Sequence, residues 1–110
     1  MDATWADFEK LNLRVGTIVQ AEEFPEARKP AYKLWVDIGG GEVRRSSAQL
    51  TDLYTPESLV GAQVLCVCGF PSKQIGPWLS EILVTGFHRP DGSVVLCVPQ
   101  SEIPTGTLLR

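Results

Sequence analysis

The sequence has one histidine and three cysteines, and neither falls at a spacing that builds a metal site or a disulfide framework. A tetrahedral zinc site draws its ligands from closely repeated Cys and His, a pattern that Cys66, Cys68, Cys97 and His88 do not make. The thiols are expected to act as small buried hydrophobes, with Cys66 and Cys68 on one face of a strand. Nucleotide and nucleophile signatures are missing as well: there is no P-loop, no G-x-G-x-x-G and no G-x-S-x-G. The expectation is a protein with no catalytic step, no metal and no cofactor. The longest apolar run, Val64 to Phe70, is far short of the roughly 20 residues that span a bilayer, so membrane insertion is not expected. Basic charge is scarce. A net charge of -3 argues against a chain that grips nucleic acid mainly through phosphates, and it should weakly attract polypeptide segments with basic ends. The acidic start MDATWADFEK is unlike a signal peptide, which points to the cytoplasm.

What is present is alternation of period two. Leu13, Val15, Val19 and Ala21 alternate with polar residues, and Tyr32, Leu34, Val36 and Ile38 repeat the pattern. Between them, Pro25 and Pro30 remove backbone donors, so FPEARKP should be a protruding loop. Gly16 is expected to mark a bulge or bend where the sheet curls. Gly39-Gly40-Gly41 turns the chain into a third strand, Glu42 to Ser47. Leu50, Leu53 and Tyr54 sit at helical spacing; Thr55 then caps a further turn, with Pro56 at its first position and Gly61 as its stop. Val64 to Gly69 and Ile82 to Phe87 supply strands four and five. At the N-terminus, Thr4 caps a short helix through Lys10 that carries Trp5 and Phe8 on one side.

Three strands, a helix and two strands match a five-stranded Greek-key OB-fold barrel of all-β class, with the helix between strands three and four closing one end. The 110 residues divide into an N-terminal helix (1–11), a barrel (12–88) and a C-terminal β extension (89–110), together one domain. Val94 to Val98 forms a sixth strand that is apolar on both faces and so needs a second layer, such as a second copy of the chain. Trp5 and Phe8 are too large for so short a helix to bury alone, and with Val95 and Cys97 they are the candidate dimer contacts.

Candidate binding residues lie where this barrel type takes ligands. Arg14 offers a fork of donors to a phosphate or a peptide carboxylate, the alternative being an ion pair with a Glu on the same sheet. Lys33 shares its face with Trp35 and Asp37, and only one of Arg44 and Arg45 can face the same groove. Ser46, Ser47 and Gln49 stand where a strand hands over to a helix, and Ser47 alternatively caps that helix. Phe70 and Trp78 flank the loop between strands four and five; Trp78 is held outside a strand by Gly76-Pro77, and Phe70 lies nearer the core. Lys73 is that loop's basic residue. Arg28 and Lys29, with Lys33, make the best local basic patch, which nearby Glu22, Glu23 and Glu26 largely offset.

Leu11 to Gly39, Ser46 to Gly61 and Ser80 to Gly86 resemble the tRNA-binding domain family, found at the C-terminus of methionyl-tRNA synthetases and in the bacterial phenylalanyl-tRNA synthetase beta subunit. The motifs are Leu13-Arg14-Val15-Gly16, with Asn12 in the usual acidic place, Leu59-Val60-Gly61 and Ser80-Glu81. Ser46-Ser47-Ala48-Gln49 and the single basic residue of the loop after strand four resemble the CsaA branch of secretion-associated chaperones. The resemblance implies a homodimer joined through the terminal helix and the C-terminal extension. It also implies ATP-independent binding of unfolded export preproteins, the alternative being recognition of folded tRNA.

Overall fold

A computed structural model describes residues 1–110. Helix α1 (Trp5–Lys10) opens with a reciprocal cap, in which the Thr4 hydroxyl accepts from the Asp7 N–H at 3.1 Å and the Asp7 carboxylate accepts from the Thr4 N–H at 2.9 Å. Strands β1 (Leu13–Glu23), β2 (Tyr32–Asp37) and β3 (Val43–Ala48) follow as antiparallel neighbours. Helix α2 (Pro56–Leu59), β4 (Gln63–Val67), a small hairpin of β5 (Lys73–Ile75) and β6 (Trp78–Ser80), and then β7 (Leu83–Val84), β8 (Gly86–His88) and β9 (Val94–Leu96) complete the chain. The main sheet runs β3-β2-β1-β4-β7. Its two ends meet where the N–H groups of Glu81 and Ile82 both reach the Arg45 carbonyl, at 2.8 and 3.3 Å. The result is a nearly closed five-stranded OB-fold barrel, with α2 between the third and fourth barrel strands.

Inside it, Ile18, Leu34, Val36, Leu59 and Val64 are fully buried, each side chain contributing about 1.5–3 kcal/mol of burial. The inward face of β1 differs from the one its alternation suggests. Gly16 and Ile18 point into the core while Val15 is covered from outside by the C-terminal segment, and a bulge between Ile18 and Gln20 then switches the phase, leaving Val19 exposed. Gly16 is therefore a packing position and not the bulge. A Cβ there would collide with Val36 Cγ1 and lie 3.1 Å from Cys66 Sγ.

Three further elements depart from the sequence expectation. Residues 49–54 form a turn and not a helix, closed by a single bond from the Tyr54 N–H to the Leu50 carbonyl at 3.2 Å, so Ser47 caps nothing. The fifth barrel strand is split at Thr85, whose N–H bonds to Leu65 and whose carbonyl accepts from Cys97, handing the chain from β4 to β9. Trp78 lies inside a strand, because the loop after β4 folds back on itself through a turn with Gly76 at φ +55°.

The C-terminal extension does more than add β9. The Val15 N–H donates to the Thr107 carbonyl at 3.0 Å, and the Leu109 N–H donates to the Leu13 carbonyl at 2.9 Å. The Gln63 side-chain amide clamps Ile103 twice, donating to its carbonyl at 2.6 Å and accepting from its N–H at 3.0 Å. The Thr17 and Thr105 hydroxyls are bonded at 2.7 Å.

Candidate functional site

Strand β2 buries Tyr32, Leu34 and Val36 and leaves Lys33, Trp35 and Asp37 on the outside of the barrel. The β2–β3 register sets Arg45 opposite Trp35 and Ser47 opposite Lys33. Trp78 of β6 then lies over this pair of strands. Its ring centroid is 5.0 Å from that of Trp35 and 6.5 Å from that of Phe24, both at edge-to-face angles. Lys33 Nζ stands 5.2 Å from both the Phe24 and the Trp78 rings, and the Arg45 guanidinium is 5.2 Å from the Trp78 ring. Each such contact is worth about 0.5–1 kcal/mol at a partly exposed site.

Arg45 is held from the other side by Glu81. One carboxylate oxygen accepts from the Arg45 backbone N–H at 2.9 Å and from its Nε at 3.4 Å. The backbone bond, followed by the guanidinium, holds the Glu81 carboxyl below its usual range. Trp78 is buried to 8% exposure beneath these cations, and its indole N–H is bonded to the Ser46 carbonyl. A ligand approaching this face meets charged groups and not an open ring.

Two adjoining clefts flank the β5–β6 hairpin. The larger, of about 810 Å³, lies between the hairpin and the 24–31 loop, over a floor that includes Leu50, Val84 and Val94. Ser47, Gln49, Lys73, Arg28, Lys29 and His88 line it as well. The smaller, of about 540 Å³, is lined by Phe70, Ser80 and Glu81 and shares Ser47 and Lys73 with the first.

The structure thus brings Ser47, Gln49, Phe70, Lys73, Ser80 and Glu81 together around the hairpin, with Trp78 on the hairpin itself and Lys33 on β2 beneath it. Ser46 is behind the surface: it is fully buried and its hydroxyl donates to the Ile82 carbonyl at 2.8 Å. Phe70, placed nearer the core by the sequence, is 48% exposed, whereas Trp78, expected outside a strand, is a buried strand residue. Arg14 lies apart from both clefts. Its guanidinium bonds to the Asn12 side chain at 2.7 Å and the Ile38 carbonyl at 3.3 Å, so it makes no ion pair with a Glu. It borders a third cleft, of about 420 Å³, with Trp5, Phe8, Leu108 and Leu109.

Trp5 is 81% exposed and meets Phe8 edge to face at 6.5 Å. Val95 and Cys97 are half-buried, with Val95 opposite the exposed Phe87 across the β8–β9 pair. Burial lifts the Cys66 thiol to about 12 and raises that of Cys68 in the same direction. No group of three His, Cys, Asp or Glu side chains is arranged to hold a metal ion, and no helix is long and apolar enough to cross a membrane. Sequence reasoning missed Phe24 and the brace from Glu81 to Arg45. Lys33 and Trp35 on one face were the available signal for the aromatic cluster; nothing in the sequence placed Phe24 beside them.

Residues 13–108 match the family described as "Putative tRNA binding domain". The methionine–tRNA ligase of Methanococcoides burtonii is 36% identical over 108 residues, which cover 97% of this chain but only 16% of the ligase. The crystal structure of the chaperone CsaA from Bacillus anthracis is 44% identical, with a TM-score of 0.91 over the whole of both chains. That of the CsaA chaperone from Picrophilus torridus is 39% identical, with a TM-score of 0.88 over 99% of this chain and all of the other. The matched residues run from the start of β1 to the segment bonded along it, so the whole barrel is included, and the chain belongs to the tRNA-binding domain family.

Proposed function

We propose that this chain holds unfolded export preproteins in the cytoplasm, without ATP, as a homodimer. The observation that carries this reading is the pair of adjoining clefts beside the β5–β6 hairpin, where aliphatic floor and scattered polar groups alternate. An extended polypeptide suits such a surface: apolar side chains fill the depressions while its backbone bonds to Ser47, Gln49 and Ser80. The role is binding, with no chemical step. The overall similarity to two CsaA chaperones supports it. Dimer formation through Trp5 and Phe8, with Val95 of β9 and the following Cys97 contributing, is supported by the exposure of Trp5, with Phe8 half-buried beside it, and of Phe87 and Val98 near the others.

Recognition of folded tRNA is the second reading, favoured by the match to a segment of methionine–tRNA ligase and by the cations of the 24–31 loop. The deciding experiment titrates an unfolded preprotein segment and a folded tRNA separately, following tryptophan fluorescence at low and high salt. A polypeptide response that survives high salt, with none from tRNA, is the expected result. A tRNA response that collapses with salt, and none from polypeptide, would overturn it.

A further inference from the structure

We infer that the larger cleft selects polypeptide segments in which a carboxylate sits next to apolar side chains, an inference that rests on the polypeptide-holding reading above. Arg28 and Lys29 reach the cleft from the 24–31 loop and Lys73 from the hairpin, against one carboxylate, Glu26. The two elements come together at their tips, since a Cβ on Gly76 would lie 3.9 Å from the Glu26 carbonyl oxygen. Neither ion pair of the molecule, Arg44 with Glu42 or Arg45 with Glu81, involves these three cations. They therefore face solvent without an ion-pair partner around one opening, three cations to the one carboxylate of Glu26, although the chain as a whole carries a net charge of -3. The local field is opposite in sign to the net charge, and it is the local field that a bound segment meets.

Carboxylate is favoured over phosphate by what lies beneath. Leu50, Val84 and Val94 give an aliphatic floor, matched to Leu or Val side chains. Of the two rings lining this cleft, that of Phe24 is 3% exposed and carries Lys33 against it, which leaves a base only the small imidazole of His88 to stack on. A segment with alternating leucine and glutamate satisfies both the floor and the rim. A leucine–lysine segment satisfies only the floor and is repelled by the rim.

Three labelled unstructured peptides of equal length, leucine–glutamate, leucine–glutamine and leucine–lysine, are titrated by fluorescence anisotropy at low and high salt, with a folded tRNA in parallel. The glutamate peptide is expected to bind about tenfold more tightly than the glutamine peptide at low salt, and the lysine peptide more weakly than either. High salt should shrink the difference, and combining Arg28→Gln, Lys29→Gln and Lys73→Gln should abolish it while the glutamine peptide still binds. All three changes lie at exposed positions, and an unchanged melting curve confirms that the fold is kept. Equal binding of the three peptides, or preference for the lysine peptide, overturns the inference and leaves the holding reading standing. Tight tRNA binding lost in the triple variant, with weak binding of every peptide, overturns both.

Discussion

The indole N–H of Trp78 donates to the main-chain carbonyl of Ser46 at 2.9 Å, fastening the β5–β6 hairpin to the centre of β3. Ser46 is itself pinned, through its hydroxyl, to Ile82. One side chain thus fixes the wall between the two clefts. Trp78→Phe removes the bond and part of the ring that packs on Trp35 and Phe24. It should cost about 1–3 kcal/mol in urea unfolding and weaken the proposed polypeptide binding beyond that, because the hairpin is released.

Glu81 gives the barrel a pH dependence. Its folded pKa lies below its ordinary value of 4.5, so its stabilisation is fully present above that value and is lost as pH falls through the folded pKa. Glu81→Gln should therefore be less stable than the parent by about 1 kcal/mol at neutral pH. The gap should close below the carboxylate range, a convergence visible in melting curves taken from pH 7 downward.

How much of this was legible in the sequence follows from the physics of each element. Thr4 and Thr55 announce their helices because capping is local, and β2 announces itself because one of its faces is buried along its whole length. Val19 misled because a bulge shifts phase without changing composition: the same alternating string reads correctly on one side of it and inverted on the other. Leu50 and Tyr54 keep helical spacing for a different purpose, since Leu50 fills the core while the Tyr54 hydroxyl accepts from the Leu96 N–H at 3.0 Å. The candidate site was half visible. Lys33, Ser47 and Lys73 were found from face and loop position, but the placing of Trp78 over Arg45 depends on a hairpin of two three-residue strands, too short to leave a periodic signal.

Gly69 offers a test of how α1 is seated. A Cβ there would run into the Lys10 carbonyl and lie 2.9 Å from the Leu11 carbonyl carbon, so backbone and not a pliable side chain stands in the way. Gly69→Ala should displace α1 and lower stability by about 1–3 kcal/mol. Hydrogen exchange should show the loss of protection at the Cys68 and Gly69 N–H groups, now bonded to Asn12 and Leu11.

Trp5→Ala separates folding from association. The side chain is 81% exposed and touches chiefly Phe8, so unfolding at high dilution should change by less than about 0.5 kcal/mol. If the proposed dimer uses this helix, sedimentation should show association weakened by about 2 kcal/mol or more. An unchanged dimer at low concentration would remove α1 from the interface.

The segment laid along β1 has a further meaning for a molecule surrounded by other chains. An uncovered strand edge is a template on which any extended polypeptide can add, and such growth has no natural stopping point. Residues 105–109 occupy that edge from Leu13 to Thr17, and the Gln63 clamp on Ile103 anchors their approach. The barrel is in this way inoculated against being recruited into someone else's fibril.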